Sequence, residues 1–298
     1  MRLIDLVGET GDELERAGVP DPLVDAEILV LHAAQIERLA AYMENPETDQ
    51  ALRKKVRRLA DRRLAGEPVQ YILGEVEFLG MPIRVGRGVL IPRPETEQLA
   101  EEIIHELAAR TEPGEDGSAE DSLRLLDLCT GSGCVALAVA RASMGAEVIG
   151  TDLSARALRY AEENARLNEV TNVRFLRGTL FRPVKGTGPF DIISANPPYI
   201  KKSDLVHLQR EVRDWEPHRA LDGGEDGLDF YRKIFSGCCN YLKKSGTVMV
   251  ELGYGQAGAV SEIARENGLG VIQIRRDYAG IERILKACGG AQSPHLQG

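Results

Sequence analysis

Leu123-Arg124-Leu125-Leu126-Asp127-Leu128 runs into Cys129-Thr130-Gly131-Ser132-Gly133 and then into Val135-Ala136-Leu137-Ala138-Val139-Ala140, and this stretch decides the fold. The first segment is an apolar run of strand length, and the last is a continuous pattern of small apolar residues that reads as a buried helix. Glycines between them let the backbone turn sharply and approach a ligand closely. A strand that feeds directly into a helix is half of a βαβ unit, which implies a parallel sheet. From Leu123 onward the alternation continues. Strands are expected at 123–128, 146–151, 172–176, 190–195, 247–252, 270–275 and 281–286, with helices covering both faces. The fold class is therefore α/β, a seven-stranded doubly wound Rossmann-like sheet.

Upstream the pattern differs. Residues 1–68 read as a small N-terminal helical bundle, with helices over Leu3 to Ala17, Pro22 to Ile36, and from Thr48-Asp49 to Gly66. Residues 69–92 carry strand-like residues punctuated by Gly74, Gly80, Pro82, Gly86 and Gly88, which predicts a β-hairpin connector. A helix from about Glu95 to Ala109 opens the α/β domain, 93–288. The acid- and glycine-rich run Thr111 to Ser122 reads as a surface loop, and 289–298 as a disordered tail.

Composition excludes several classes. With 43% hydrophobic and 28% charged residues, the chain is a globular protein rather than a disordered one. No run approaches the roughly 20 apolar residues of a membrane helix. The first residues carry acid and no apolar export core, so a cytoplasmic location is expected. Five cysteines without CxxC spacing support neither a disulfide framework nor a zinc site. A net charge of −9 argues against stable nucleic-acid binding. The exception is the basic run Arg53, Lys54, Lys55, Arg57, Arg58, Arg62 and Arg63 on one amphipathic helix. It reads as a solvated face, or else as a contact surface for an acidic or RNA-bearing partner.

Two stretches carry chemistry. The second expected strand of the sheet ends at Asp152, 19 positions after Gly133, where a carboxylate is placed to accept the hydroxyls of a ribose. Gly131-Ser132-Gly133-Cys134-Val135-Ala136 also satisfies a loose dinucleotide pattern, which keeps a nicotinamide oxidoreductase in view. Against it stands Asp127, an acid that would repel a pyrophosphate yet suit a cationic ligand such as an adenosyl sulfonium with an amino-acid tail. The other stretch is Asn196-Pro197-Pro198-Tyr199, directly after the strand Phe190 to Ala195. Proline forces Asn196 into extended geometry, and two prolines make a stiff turn with free carbonyls. A carboxamide and a bare carbonyl presented together suit a planar –NH2 group.

These residues resemble class I S-adenosylmethionine-dependent methyltransferases that act on amide or exocyclic amino nitrogen. More narrowly, the chain is similar to the release-factor glutamine methyltransferase family (PrmC, also called HemK). Glu67-Pro68-Val69-Gln70-Tyr71-Ile72-Leu73-Gly74, Leu90-Ile91-Pro92-Arg93-Pro94-Glu95-Thr96-Glu97 and Ala220-Leu221-Asp222-Gly223-Gly224-Glu225-Asp226-Gly227-Leu228 carry the likeness. Glu251-Leu252-Gly253-Tyr254-Gly255-Gln256 and Asp277-Tyr278-Ala279-Gly280 are weaker echoes.

The resemblance implies a seven-stranded methyltransferase sheet, with S-adenosyl-L-methionine as donor and S-adenosyl-L-homocysteine as product. The implied acceptor is the side-chain nitrogen (N5) of the glutamine in the Gly-Gly-Gln loop of class I peptide chain release factors, docked by the N-terminal bundle. A monomer is expected. Asp127, Cys129, Thr130, Gly131, Ser132, Gly133, Asp152, Leu153, Thr179, Leu180 and Asn196 are the expected cofactor contacts. Asn196, Pro197, Pro198 and Tyr199 are the expected catalytic set, and with Arg93 and Glu97 they form the expected substrate contacts. Two departures stand out. Cys129 replaces a usual glycine, which predicts that this backbone position needs no positive φ. Thr179 replaces an acid that commonly meets the adenine amino group. Glutamine methylation of a ribosomal protein and adenine-N6 methylation of nucleic acid are the competing readings.

Overall fold

The computed structural model describes residues 1–111 and 122–289. The loop expected near 111–122 and the tail expected from 289 lie, but for their flanking residues, outside them. The described chain forms two compact units, one of residues 1–75, 85–87 and 208–216, and one of residues 76–84, 88–207 and those from Pro217 onward.

The first unit is helical. It contains α1 (Leu3–Arg16), α2 (Pro22–Ala34), α3 (Arg38–Glu44), α4 (Gln50–Leu64) and α5 (Val69–Leu73). Leu3, Leu6, Leu14, Ala26, Val30 and Val56 are buried together as its core. Helix α4 starts where the sequence signals it, because Asp49 Oδ1 accepts the Leu52 N–H at 2.7 Å. Much of its positive charge is consumed by acids of the same unit. Buried Arg63 reaches Asp25 at 2.6 Å and Glu211 at 2.5 Å, Arg57 reaches Glu13 at 2.7 Å, and Arg62 reaches Glu67 at 2.6 Å.

The hairpin connector is shorter than the sequence suggests. Val69, Tyr71 and Ile72 have strand-like side chains, yet Val69–Leu73 is a helical turn. Pro68 sets its entry with an extended backbone, and Gly74 ends it at φ +89°. Arg62 donates to the carbonyls of Tyr71 and Ile72 at 3.3 and 3.4 Å, which gives those carbonyls partners a strand would have supplied. Only β1 (Glu75–Phe78) and β2 (Met81–Arg84) pair as a hairpin. Helix α3 lacks a side-chain N-cap, and its C-terminal cap at left-handed Asn45 did not make it legible.

The second unit continues with α6 (Pro94–Thr111), β3 (Arg124–Leu128), α7 (Cys134–Ala142), β4 (Glu147–Asp152), α8 (Ala155–Leu167), β5 (Val173–Arg177) and β6 (Phe190–Ala195). After α9 (Arg210–Trp215), which belongs to the first unit, come α10 (Asp229–Cys238), β7 (Leu242–Glu251), α11 (Ala257–Glu266), β8 (Leu269–Arg276) and β9 (Glu282–Gly289). The seven strands run in the order β5-β4-β3-β6-β7-β9-β8. The parallel sheet is mixed at one edge: β3 to β7 pair in parallel, whereas β9 is antiparallel to both β7 and β8. The link from β8 to β9 is only a short turn at Asp277–Ile281, too short for a parallel crossover, so β9 must reverse. Leu126, Ile193, Phe190, Phe235, Val248 and Leu285 lie in the buried core of this sheet.

Strand order places the site. The chain moves from β3 outward to β4 and β5, then returns to lay β6 on the other flank of β3. Such a switch point opens a crevice beyond the carboxyl ends of the strands, where α/β folds bind ligands. Register puts Leu128 level with Thr151 on one side and Ala195 on the other. The residues just past these three positions therefore share one rim.

Candidate active site

The loop after β3 is fastened to its neighbours by its own polar groups. Thr130 Oγ1 donates to Asp127 Oδ2 at 2.6 Å, and Ser194 Oγ, level with Asp127 on β6, donates to Oδ1 at 2.8 Å. The Thr130 N–H donates to the Thr151 carbonyl at 3.0 Å. Asp152 accepts the Gly131 N–H at 3.0 Å and the Ser154 N–H at 2.7 Å, so it ties the loop to the start of α8. Burial pushes the Asp127 carboxyl up to about 6, against the two hydroxyl bonds that lower it and with nearby Asp152 adding to the rise. Burial likewise raises Asp152, against backbone N–H groups that favour its charge.

Cys129 corrects the sequence reading. Its φ is +57°, so the position does require the left-handed region despite carrying a side chain. Gly131 and Gly133 follow at +56° and +80°. A Cβ on Gly133 would stand 3.0 Å from Ala161 Cβ and from the Phe175 ring, which explains the glycine on packing as well as backbone grounds. Three hydrogen bonds from Thr130 and Gly131 over-determine the turn, and this is what holds Cys129 in a conformation costing on the order of 1 kcal/mol.

At the end of β6, Asn196 is held by a chain of hydrogen bonds absent from the sequence reading. Its Nδ2 donates to Thr96 Oγ1 at 3.0 Å, and Thr96 Oγ1 donates to Glu251 Oε2 at 2.7 Å. Tyr199 Oη donates to Glu251 Oε1 at 3.2 Å. Thr96 and Glu251 are 2% and 1% exposed, so water does not compete for these bonds. Burial raises the Glu251 carboxyl to about 7; the bonds from Thr96 and Tyr199 lower it, neighbouring Glu95 raises it and Arg283 lowers it. Burial beside Glu251 also raises the Tyr199 phenol.

Both stretches open onto one cavity of about 330 Å³. Of the expected residues, Arg93, Asp127, Cys129, Thr130, Gly131, Ser132, Asp152, Leu153, Thr179, Leu180, Asn196 and Pro198 line it. Gly133, Pro197, Tyr199 and Glu97 are not among the lining residues. The Glu97 carboxylate accepts the Leu79 N–H at 2.9 Å and anchors the hairpin, while Tyr199 supports Glu251. Thr96, Leu90, Arg219, Phe230 and Lys233 line the cavity without having been singled out. Glu251 was legible in principle, as an acid closing the apolar run Val248-Met249-Val250.

A model of the PrmC N-terminal domain matches residues 5–74, and a methyltransferase-domain model matches residues 119–268. A release factor glutamine methyltransferase of Thermodesulfovibrio yellowstonii is 44% identical over 261 residues, 88% of this chain and 90% of the relative. The chain belongs to the release factor glutamine methyltransferase family. A family member from Moorella thermoacetica is 38% identical over 96% of this chain and 98% of its own length. Among solved structures, a methyltransferase from Pyrococcus furiosus is similar at 19% identity and a TM-score of 0.51, covering 80% of this chain and 98% of that one. A human methyltransferase 10 domain-containing protein aligns at 17% identity and a TM-score of 0.50, over 71% and 90% of the two chains. Those structural likenesses place the sheet among Rossmann-like methyltransferases, while family membership rests on sequence.

Proposed function

We propose that this chain transfers a methyl group from S-adenosyl-L-methionine to the side-chain amide nitrogen, N5, of the glutamine in the Gly-Gly-Gln motif of class I peptide chain release factors. The observation that carries the reading is the shared cavity: the Gly131–Asp152 rim and the Asn196 carboxamide open onto the same space. Its volume falls in the range of small-molecule sites. The donor set suits the cofactor: Asp152 for ribose hydroxyls, Leu153, Leu180 and Thr179 around the base, and the acids Asp127 and Asp152 for a cation. When bound, S-adenosyl-L-methionine supplies an electrophilic methyl group on a positive sulfur.

The residues then have a positioning task. A glutamine amide is a weak nucleophile because its lone pair is delocalised into the carbonyl. Asn196 Oδ1, which lines the cavity, would accept one of its N–H bonds, hold the nitrogen in line, and favour positive charge building there; the Pro197 carbonyl, proposed for the second N–H, belongs to a residue that does not line the cavity, so the substrate must open a path to it. Stiff prolines on the carboxyl side keep that geometry without reorganisation. Arg93 and Pro198 would border the substrate loop. The helical region 1–68 is proposed as the docking part. Leu39, Tyr42 and Met43 of α3 and Leu23 and Val24 of α2 are large apolar side chains it leaves exposed. Among the described residues no helix is long and apolar enough to cross a membrane.

The test is incubation with labelled S-adenosyl-L-methionine and a purified release factor, followed by mass mapping of the modified peptide. Label on the Gly-Gly-Gln glutamine supports the reading. Label elsewhere, or transfer to a ribosomal protein or to nucleic acid instead, defeats it.

A further inference from the structure

Three residues from three separate elements meet at the cavity wall: Thr96 in the first turn of α6 and Asn196 just after β6, which line it, and Glu251 at the end of β7 behind them. Register explains the last two, since Ala195 and Val250 are partners and the next residue on each strand is Asn196 or Glu251. Thr96 arrives from 100 residues away to bridge them.

The bridge has a direction. When ionised, above pH about 7, the Glu251 carboxylate only accepts, so the Thr96 proton then points to Glu251 Oε2, a bond of 2.7 Å. The Thr96 oxygen then faces Asn196 with a lone pair and accepts from Nδ2 at 3.0 Å. This leaves the side-chain oxygen, Oδ1, as the carboxamide's free acceptor beside the cavity that Asn196 lines. Reversing the amide would set Oδ1 against the Thr96 lone pair and turn an N–H toward an incoming –NH2 group, donor against donor.

We propose that Thr96 and Glu251 are positioning residues: the Glu251 carboxylate, acting through the Thr96 hydroxyl, fixes which end of the Asn196 carboxamide faces the substrate. Tyr199 completes the arrangement by occupying Glu251 Oε1 at 3.2 Å, which leaves Oε2 for Thr96. The inference rests on the proposed acceptance of a substrate amide by Asn196. It adds that specificity for a hydrogen-bond donor at this point is set by Glu251, which is not among the residues lining the cavity.

Thr96→Val keeps the shape of the buried side chain and removes both hydrogen bonds. The expected result is a fall in kcat of about 10- to 100-fold, the scale of a misdirected positioning group, with S-adenosyl-L-homocysteine affinity within about two-fold of wild type. Thr96→Ser restores the hydroxyl and should restore most of kcat. Glu251→Met removes the acceptor and should behave as Thr96→Val does. If that variant does not fold, the Thr96 pair decides alone. An independent arm uses the ¹⁵N-labelled full chain, with the Asn196 side-chain signal assigned by its loss in Asn196→Asp. One Nδ2 proton should exchange slowly in wild type and in Thr96→Ser, and rapidly in Thr96→Val. Should wild type fail to methylate a release factor, the functional reading falls and the exchange arm still judges the bridge. Wild-type kcat in Thr96→Val, or exchange unaltered by losing the hydroxyl, overturns the proposal.

Discussion

Replacing Glu251 by Gln should remove a pH dependence of stability that the buried carboxyl imposes. The side chain is 1% exposed, and burial lifts its pKa from 4.5 to about 7. In the unfolded chain it titrates near its ordinary value. Between pH 4.5 and about 7 the native protein therefore retains a proton that the unfolded chain has lost. Stability contributed by the neutral form is complete below pH 4.5 and drains away as pH rises through 7. The gap between the two values corresponds to about 3 kcal/mol, lost at about 1.4 kcal/mol per pH unit. Gln keeps an acceptor for Thr96 and the size of the side chain but does not titrate. Urea unfolding followed by circular dichroism at pH 5, 6, 7 and 8 gives the two stability curves. Their difference should shift in favour of Glu251→Gln by about 2.5 kcal/mol between pH 5 and pH 8, the part of the total that lies in this window. Asp127, raised to about 6, slopes the same way in both proteins and cancels in the comparison. Parallel curves would refute the claim that Glu251 is desolvated in the native state.

Asn196→Ala should cut methyl transfer about 100- to 1000-fold, as loss of a preorganised polar group does, while calorimetric S-adenosyl-L-homocysteine affinity stays near wild type; undiminished turnover would end its assigned role. Asp152→Ala removes the acceptor proposed for ribose together with its hold on Gly131 and Ser154, and should weaken S-adenosyl-L-homocysteine binding about 10- to 100-fold. Equal affinity in the same titration would cancel that assignment. Cys129→Gly relieves a left-handed residue and should stabilise the fold by about 1 kcal/mol in thermal unfolding; a lower Tm would mean that the thiol's packing outweighs the backbone term.

Legibility followed the range of the interaction. The central strands β3, β4 and β6 were readable because a buried strand must be apolar along its length, and Phe190 to Ala195 is buried at every position. The Gly131–Gly133 turn was readable because local φ requirements leave a glycine signature. Cys129 was misread for the same reason in reverse: two of the hydrogen bonds that force its φ run from Thr130 and Gly131 to acceptors on Thr151 and Asp152 of the neighbouring strand, which its neighbours in sequence do not announce. Helix Val69–Leu73 was missed because Arg62 satisfies its carbonyls from a different helix.

By itself, then, the amino-acid order determined an α/β sheet, a glycine turn facing an acid one strand over, and a proline-stiffened carboxamide after Ala195. These are local matters of periodicity, forbidden dihedrals and missing N–H groups. Tertiary structure alone decided that both stretches share a cavity and that Thr96 joins Asn196 to Glu251. Hydrogen bonds spanning 100 and 155 residues depend on strand order and register, and no short-range pattern encodes those.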